Sequence, residues 1–413
     1  MTMQADNNTP AGRTKTPGTT AIAVQSVFRK YYFTQAARIE VPDRIEEREF
    51  GYMRFGDSFP AAGGAMVRHL AFRSVGELVA SLIRDPPADV FCSNAYYRFP
   101  ANEMREKEWR GADLIFDIDG KDFDLPCVPS HSYLVCRECG FSDLQENLHG
   151  PQAGLSFVCP SCKASRPNIT SLPCTKCIDA SKNEAIRLVS LLSGDFGIEL
   201  DRIKVYFSGN NGFHLHVSDD SFNQLDSQAR SDIVGYLTGN GLMPESIGVR
   251  KAGDRGFAIR FPRGGISYGW RARVAKKLKI DASSEKKLEH IVSQKGGYAG
   301  FRTELERIAR EEGLVIDPQV TTDTHRVFRM PGTLNSKSGL AKVRCGNIGS
   351  FDPFTEACLL EDQEIITTAK ADVKVRLRGK TFRLEVKERS ILLPAYAAVY
   401  LACKGLAELE ISS

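Results

Sequence analysis

From Ala112 to Gly120 the chain reads ADLIFDIDG, with acidic residues at regular intervals inside an apolar run. Alternation of this kind, rich in β-branched and aromatic side chains, predicts a strand whose side chains point to opposite faces. Leu114, Phe116 and Ile118 then share one face, and Asp113, Ile115, Asp117 and Asp119 the other. Asp117 and Asp119 are left side by side. Like charges that close are tolerated if a proton is shared, if water solvates them, or if a divalent cation lies between them. The spacing alone does not choose among these, and an acidic pair ahead of Gly120 is also an ordinary strand-end and turn signal.

The same reading divides the rest of the chain. Residues 1–21, rich in Thr, Gly, Pro and Asn without apolar period, are expected to form a disordered tail, with order from Ile22. EREFGYM (47–53) and MVRHLAF (66–72) carry mixed strand and helix signals, whereas VGELVASLIRD (75–85) has helical apolar spacing. ASKNEAIRLVSLLSGDFG (180–197) repeats that spacing and leads into IKVYFSGNNGFHLHVSD, two β-rich runs around a glycine turn, which predict a hairpin. Residues 222–312 are largely helical in pattern, and the charge runs RARVAKKLK and EKKLEHIVSQK read as solvated helix faces. β signals return from Val315 to Val343, and LPAYAAVYLACKGLAELE (393–410) closes the chain as a helix. No internal repeat is visible.

With 413 residues the chain can bury a substantial core, as one large α/β domain with insertions or as two to three modules. Lys and Arg number 55 against 51 acids, a balance that permits polyanion binding without demanding it. No apolar run is long enough to span a bilayer and the first residues lack a secretory signal, so an intracellular, cytoplasmic protein without membrane partner is expected. Eleven cysteines in that setting read as metal ligands and core thiols rather than disulfides.

Two CxxC knuckles, Cys136–Cys139 and Cys159–Cys162, are separated by nineteen residues, the spacing of a four-thiolate zinc ribbon. A short loop-rich stretch needs the metal to fold. A third knuckle, Cys174–Cys177, lacks two ligands, which Cys127 and His131 can supply as a second site; exchange of knuckles between the sites is the competing arrangement. Cys92, Cys345, Cys358 and Cys403 stand alone as small apolar residues. In SGNNGFHLHV (208–217), Ser208, Gly209 and His214 offer a hydroxyl, a tight turn with exposed amides, and an imidazole, groups suited to a phosphate. The stretch is equally an ordinary hairpin turn. Residues 315–340 add Asp317, Asp323, Arg326, Arg329 and Lys337 beside Gly- and Pro-marked turns, cations able to hold a triphosphate or a plain polar loop.

Taken in order, EREFGYM, MVRHLAF, NAYY (94–97), EWRGADLIFDIDG (108–120), SGNNGFHLHV, HRVFRMPGTLNSKSGL (325–340) and LPAYAAVYLACKGLAE (393–408) resemble the catalytic small subunit of archaeal DNA primase, in the archaeo-eukaryotic primase superfamily. The resemblance covers roughly residues 30–408. It implies an α/β (α+β) catalytic fold around a mixed β-sheet over residues 22–413, with a zinc-binding insertion at 126–178 and a helical subdomain at about 222–312. It implies primer synthesis de novo from nucleoside triphosphates on single-stranded DNA, in a heterodimer with a primase large subunit. On the family's pattern Asp117, Asp119 and a third carboxylate, Asp317 with Asp323 as runner-up, hold two Mg²⁺ or Mn²⁺ ions. Ser208, Gly209 and His214 match its triphosphate motif, with Arg68, Arg329 and Lys337 as further cations. Asn211 and Asn335 stand where the family usually has a basic residue and a histidine. A repair or damage-tolerance polymerase of the same superfamily, and a non-catalytic zinc-ribbon DNA-binding protein, are the alternatives.

Overall fold

A computed structural model describes residues 18–410 apart from 57–58, 60–65, 149–157, 166, 254–255, 262–267, 282 and 389. The α+β class expected from the sequence holds. All described strand pairs are antiparallel, so two four-stranded antiparallel sheets stand where one mixed sheet was expected. The first runs in the order Val327–Arg329, Asp89–Ser93, Phe50–Met53, Met66–Leu70. The second runs Val343–Arg344, Ile203–Phe207, Phe213–Val217, Leu114–Ile118, which places the acidic strand at its edge. Two of its central strands are joined by the SGNNG turn, and a connection that short permits only antiparallel pairing.

Leu114, Phe116 and Ile118 are buried in the main core, as the alternation predicts, while Ile115 packs with Val320 and Phe328. Phe328 belongs to the first sheet and its ring lies 6.0 Å from those of both His214 and His216 on the second, so the sheets meet there. A 22-residue helix, Thr175–Phe196, covers the acidic strand and its hairpin neighbour. It buries Cys177, Ile178, Ser181, Glu184, Ala185, Leu188 and Leu192, a stripe at the period of 3.6.

A separate buried cluster joins Ile247, Val249, Trp270, Val274, Leu288, Val292, Phe301, Leu305 and Ile308. It is built from the helices Gly269–Lys277, Glu285–Gln294 and Gly297–Glu312 and from a hairpin, Val249–Ala252 with Gly256–Ile259, inside the stretch read as helical. Two further boundaries differ from expectation. The first helix spans Thr19–Thr34 and buries Ala21, so order begins before Ile22; residues 1–17 of the expected tail lie outside the described residues. The last helix is Ala395–Cys403, after which Ala407–Leu409 returns to strand because it pairs with Glu364–Ala369.

Candidate active site

Asp117 sits on the acidic strand opposite His214, its register partner, with His214 Nε2 3.3 Å from Asp117 Oδ1. Asp119 follows the strand and caps the next turn, accepting from the Lys121 amide at 3.1 Å and pairing with Lys121 Nζ at 2.9 Å. Asp317 caps the helix Pro318–Thr322, and its amide donates to the Asp117 carbonyl at 3.0 Å. Burial first, then the charges of Asp119 and Asp317, push the Asp117 carboxyl up to about 7. Asp323 instead accepts from the His325 amide at 2.8 Å, and its carbonyl receives Asn94 Nδ2. Asp113, on the same strand face, is taken by Arg48 at 2.7 Å and by Tyr96.

Asp117 and Asp119 border a cleft of about 450 Å³ between the two sheets, lined also by Ser208, His214, Arg326, Arg329, Asn335 and Lys337, whereas Asp317 and Asp323 are not among its lining residues. The SGNNG turn closes on the acidic strand so tightly that a Cβ at Gly212 would lie 2.2 Å from the Ile118 carbonyl, and Gly209 adopts a φ of +89°. Ser208 Oγ accepts from the Gly212 amide at 3.2 Å, and Lys404 Nζ holds Asn210 at 2.8 Å. Across the cleft, Arg329 pairs with Asp89, which also receives the Ser336 amide and hydroxyl at 2.8 and 2.7 Å. Lys337 is exposed at the rim.

Arg68 lies outside this lining. It is bidentate to the buried Glu49, at 2.9 and 3.1 Å, on the outer strand of the first sheet. Asn335 does line the cleft, yet its amide is already engaged, donating to the Ser208 carbonyl at 3.4 Å and accepting from the Lys337 amide at 2.9 Å. It ties the two loops together. Sequence reading missed Lys342, which lies buried behind the cleft and donates to His216 at 3.0 Å and to the Arg329 carbonyl at 2.9 Å. Burial, then Arg329, pushes its ammonium down to about 7. Burial, then Lys342, holds His214 far below the usual imidazole range, so its ring is neutral.

The cysteines form two groups whose ligand atoms all lie within 4.8 Å of one another: Cys136, Cys139, Cys159 and Cys162, and Cys127, His131, Cys174 and Cys177. Bonds of about 2.3 Å to a tetrahedral zinc give sulfur–sulfur edges of about 3.8 Å. The observed separations are 3.5 and 3.6 Å in the first group and 3.7, 3.7 and 3.9 Å in the second. His131 turns Nε2 toward Cys177 at 3.2 Å while Nδ1 meets Ser171, the outer partner that orients a ligating imidazole. Both groups fit zinc, and the pairing of knuckles is the one expected rather than the exchanged one. Asp117, Asp119 and Asp317 are hard oxygen donors, the type Mg²⁺ or Mn²⁺ takes, and the charges of the last two bear on Asp117, but their oxygens are not gathered within 4.8 Å of one another as the zinc ligands are.

Crowded carboxylates facing cations across a cleft, on an α+β scaffold with thiolate clusters, define the layout of a nucleotidyltransferase. The chain belongs to the DNA primase small subunit family, the catalytic subunits of primase. That family's profile matches residues 166–345. The chain is 39% identical to the DNA primase small subunit of Nitrosopumilus maritimus, over 93% of this chain and 97% of that one. It is 38% identical to that of Cenarchaeum symbiosum over 92% and 96%, and 33% identical to that of Thermoplasma acidophilum over 92% and 98%. Among the described residues no helix is long and apolar enough to cross a membrane.

Proposed function

We propose that this chain synthesises primers de novo from nucleoside triphosphates on single-stranded DNA, as the catalytic half of a heterodimer with a primase large subunit at the nucleoid. The observation that supports this is the hydrogen bond from the Asp317 amide to the Asp117 carbonyl, together with the Asp317 charge that bears on the Asp117 carboxyl. Asp117, Asp119 and Asp317 would hold two divalent ions, which when bound activate the attacking hydroxyl and neutralise the leaving pyrophosphate. The chain's own groups position the reactants. Ser208, at the Gly209 turn, presents its hydroxyl to the triphosphate from one side of the cleft, the neutral His214 lines that wall with Nε2 toward Asp117, and Arg329 and Lys337 present positive charge from the other. Asp89 fixes the Arg329 guanidinium, so little side-chain entropy remains to be lost on binding.

Zinc in the two cysteine groups is part of the same reading, as folding metal rather than as catalyst. Residues 222–312 form the helical subdomain and 126–178 the zinc module. Incubation of the chain with circular single-stranded DNA, labelled nucleotides and Mg²⁺ or Mn²⁺, with and without a large subunit, tests the proposal. Labelled primers without a pre-existing 3′ end are the expected product. Extension of a supplied primer with no initiation, large subunit present, would assign the chain to repair or damage tolerance instead.

A further inference from the structure

The catalytic cleft does not account for where the chain's positive charge lies. Residues 249–280 contain ten Lys or Arg and a single Asp. Since the whole chain has 55 cations and 51 acids, the remainder has 45 against 50. The net positive charge therefore belongs to this span alone, with six of its ten cations on the hairpin Val249–Ala252/Gly256–Ile259 and the helix Gly269–Lys277.

Some of these cations are committed within the fold. Arg271 lies over the Phe261 ring, Arg273 pairs with Asp195, and Lys277 reaches Glu312 at 2.8 Å. Arg250, Lys251, Arg260, Lys276 and Lys279 are exposed, and none is ion-paired among the described residues. Like charges gathered on one small subdomain repel, and a bound polyanion relieves that repulsion. Beside the hairpin a groove of about 610 Å³ opens, with Asn240, Met243, Ser246 and Tyr268 on its walls and one acid, Asp232, which receives Gln228 at 3.0 Å. Hairpin and groove are contiguous, because the Arg260 amide bonds the Gly248 carbonyl just past the turn of helix that carries Ser246. Tyr268 is 63% exposed, an unusual position for an aromatic ring and a suitable one for stacking a base.

The helix Ser227–Thr238 runs between this face and the head of the acidic strand, and it packs on the Pro318–Thr322 helix that Asp317 caps. Near its start Arg230 donates to the carbonyls of Ala112 and Asp113, at the head of the acidic strand, and its last turns line the groove. Twelve residues of helix span about 18 Å. Groove and cleft share no lining residue, so a nucleotide in the cleft is not the groove's ligand, and an extended template strand is one long enough to engage both.

We propose that the basic hairpin and the Tyr268 groove form a second single-strand-binding surface, which retains template DNA outside the catalytic cleft through Arg250, Lys251 and Arg260 on phosphates and Tyr268 on a base. This rests on the priming reading above. The test is fluorescence anisotropy of a labelled oligothymidylate against the full-length, zinc-loaded chain over a range of salt, with thermal melts to verify each variant's fold. Replacing Arg250, Lys251 and Arg260 together by Ala should weaken binding at least about tenfold at low salt and reduce the log–log salt slope by about 2, since each single-strand phosphate contact contributes about 0.7. Tyr268→Ala should weaken binding about tenfold with the slope unchanged. In primer synthesis both should raise the KM for template and leave kcat at saturating template unaltered. Unchanged affinity and slope in the triple variant would overturn the proposal, as would an equal loss of binding to polyglutamate, which would assign the face to an acidic protein. Asp117→Asn separates the two readings: it should bind DNA as the native chain does while making no product. If the native chain makes no product yet binds DNA through this face, priming fails and the surface stands.

Discussion

His214 and Asp117 face each other across neighbouring strands, Nε2 to Oδ1 at 3.3 Å, and the histidine is neutral because it is buried beside Lys342. A neutral ring with Nε2 at this distance orients one carboxylate oxygen without neutralising it. Its Nδ1 is buried and has no partner among the described residues. His214→Ala should therefore lower kcat about 10- to 100-fold while the thermal midpoint moves little, and His214→Gln should recover part of the loss through its amide donor. Steady-state incorporation kinetics with both variants check this.

The raised Asp117 pKa makes the stability of the metal-free protein depend on pH. An ordinary Asp ionises near 3.8, and here the carboxyl is pushed up to about 7. The folded state thus holds a proton that the unfolded chain releases, so stability present below about pH 4 is lost as pH rises toward 7, by up to about 4 kcal/mol. Asp117→Asn should flatten that fall, and Mg²⁺ or Mn²⁺ should reverse it in the native chain. Denaturant melts from pH 4 to 8 in chelator, and again with metal, are the measurement.

The two cysteine groups should differ in what their loss does. Cys174 and Cys177 open the helix Thr175–Phe196, whose Ser181 hydroxyl donates to the Asn211 carbonyl and whose Glu184 accepts from the Val315 amide at 2.6 Å. That helix thus braces both the phosphate turn and the approach to Asp317. Elemental analysis should find about two zinc ions per native chain. Cys136→Ser should lose one with near-normal melting, whereas Cys174→Ser should lose the other, melt several degrees lower and bind Mn²⁺ more weakly.

Asn335 offers a sharper case, because it stands where the family usually has a histidine. Its amide joins the Ser208 and Lys337 loops. Asn335→His should break both bonds and raise the apparent KM for nucleoside triphosphates by about tenfold, with a cost of about 1–2 kcal/mol. A lowered KM would mean that the loops do not depend on this tie.

Local pattern made parts of this site legible. Alternation assigned the two faces of 114–118, glycine spacing found the turn at 209–212, and the three CxxC intervals with the Cys127–His131 spacing grouped eight ligands as the structure does. Each of those signals is written within a few residues. The links that assemble the cleft are not: Glu184 to Val315 and Lys342 to His216 join segments more than a hundred residues apart, and a lysine in a β run gives no sign that it will be buried. The hairpin at 249–259 was hidden because its strands, VRKA and GFAI, are only four residues long and show no apolar–polar alternation. Arg68 looked like a free cation because its partner, Glu49, is buried just ahead of the neighbouring strand Phe50–Met53.

The account stands on Asp317 as the carboxylate that completes the site, since its amide bonds the Asp117 carbonyl and its charge bears on the Asp117 carboxyl. The direct measurement is nucleotide incorporation by Asp317→Asn and Asp323→Asn under titration with Mn²⁺, each verified as folded by circular dichroism. Asp317→Asn should lose at least about 1,000-fold in rate and should not recover at high metal, while Asp323→Asn should stay within about fivefold of the native chain. Near-native synthesis by Asp317→Asn together with loss in Asp323→Asn would contradict it.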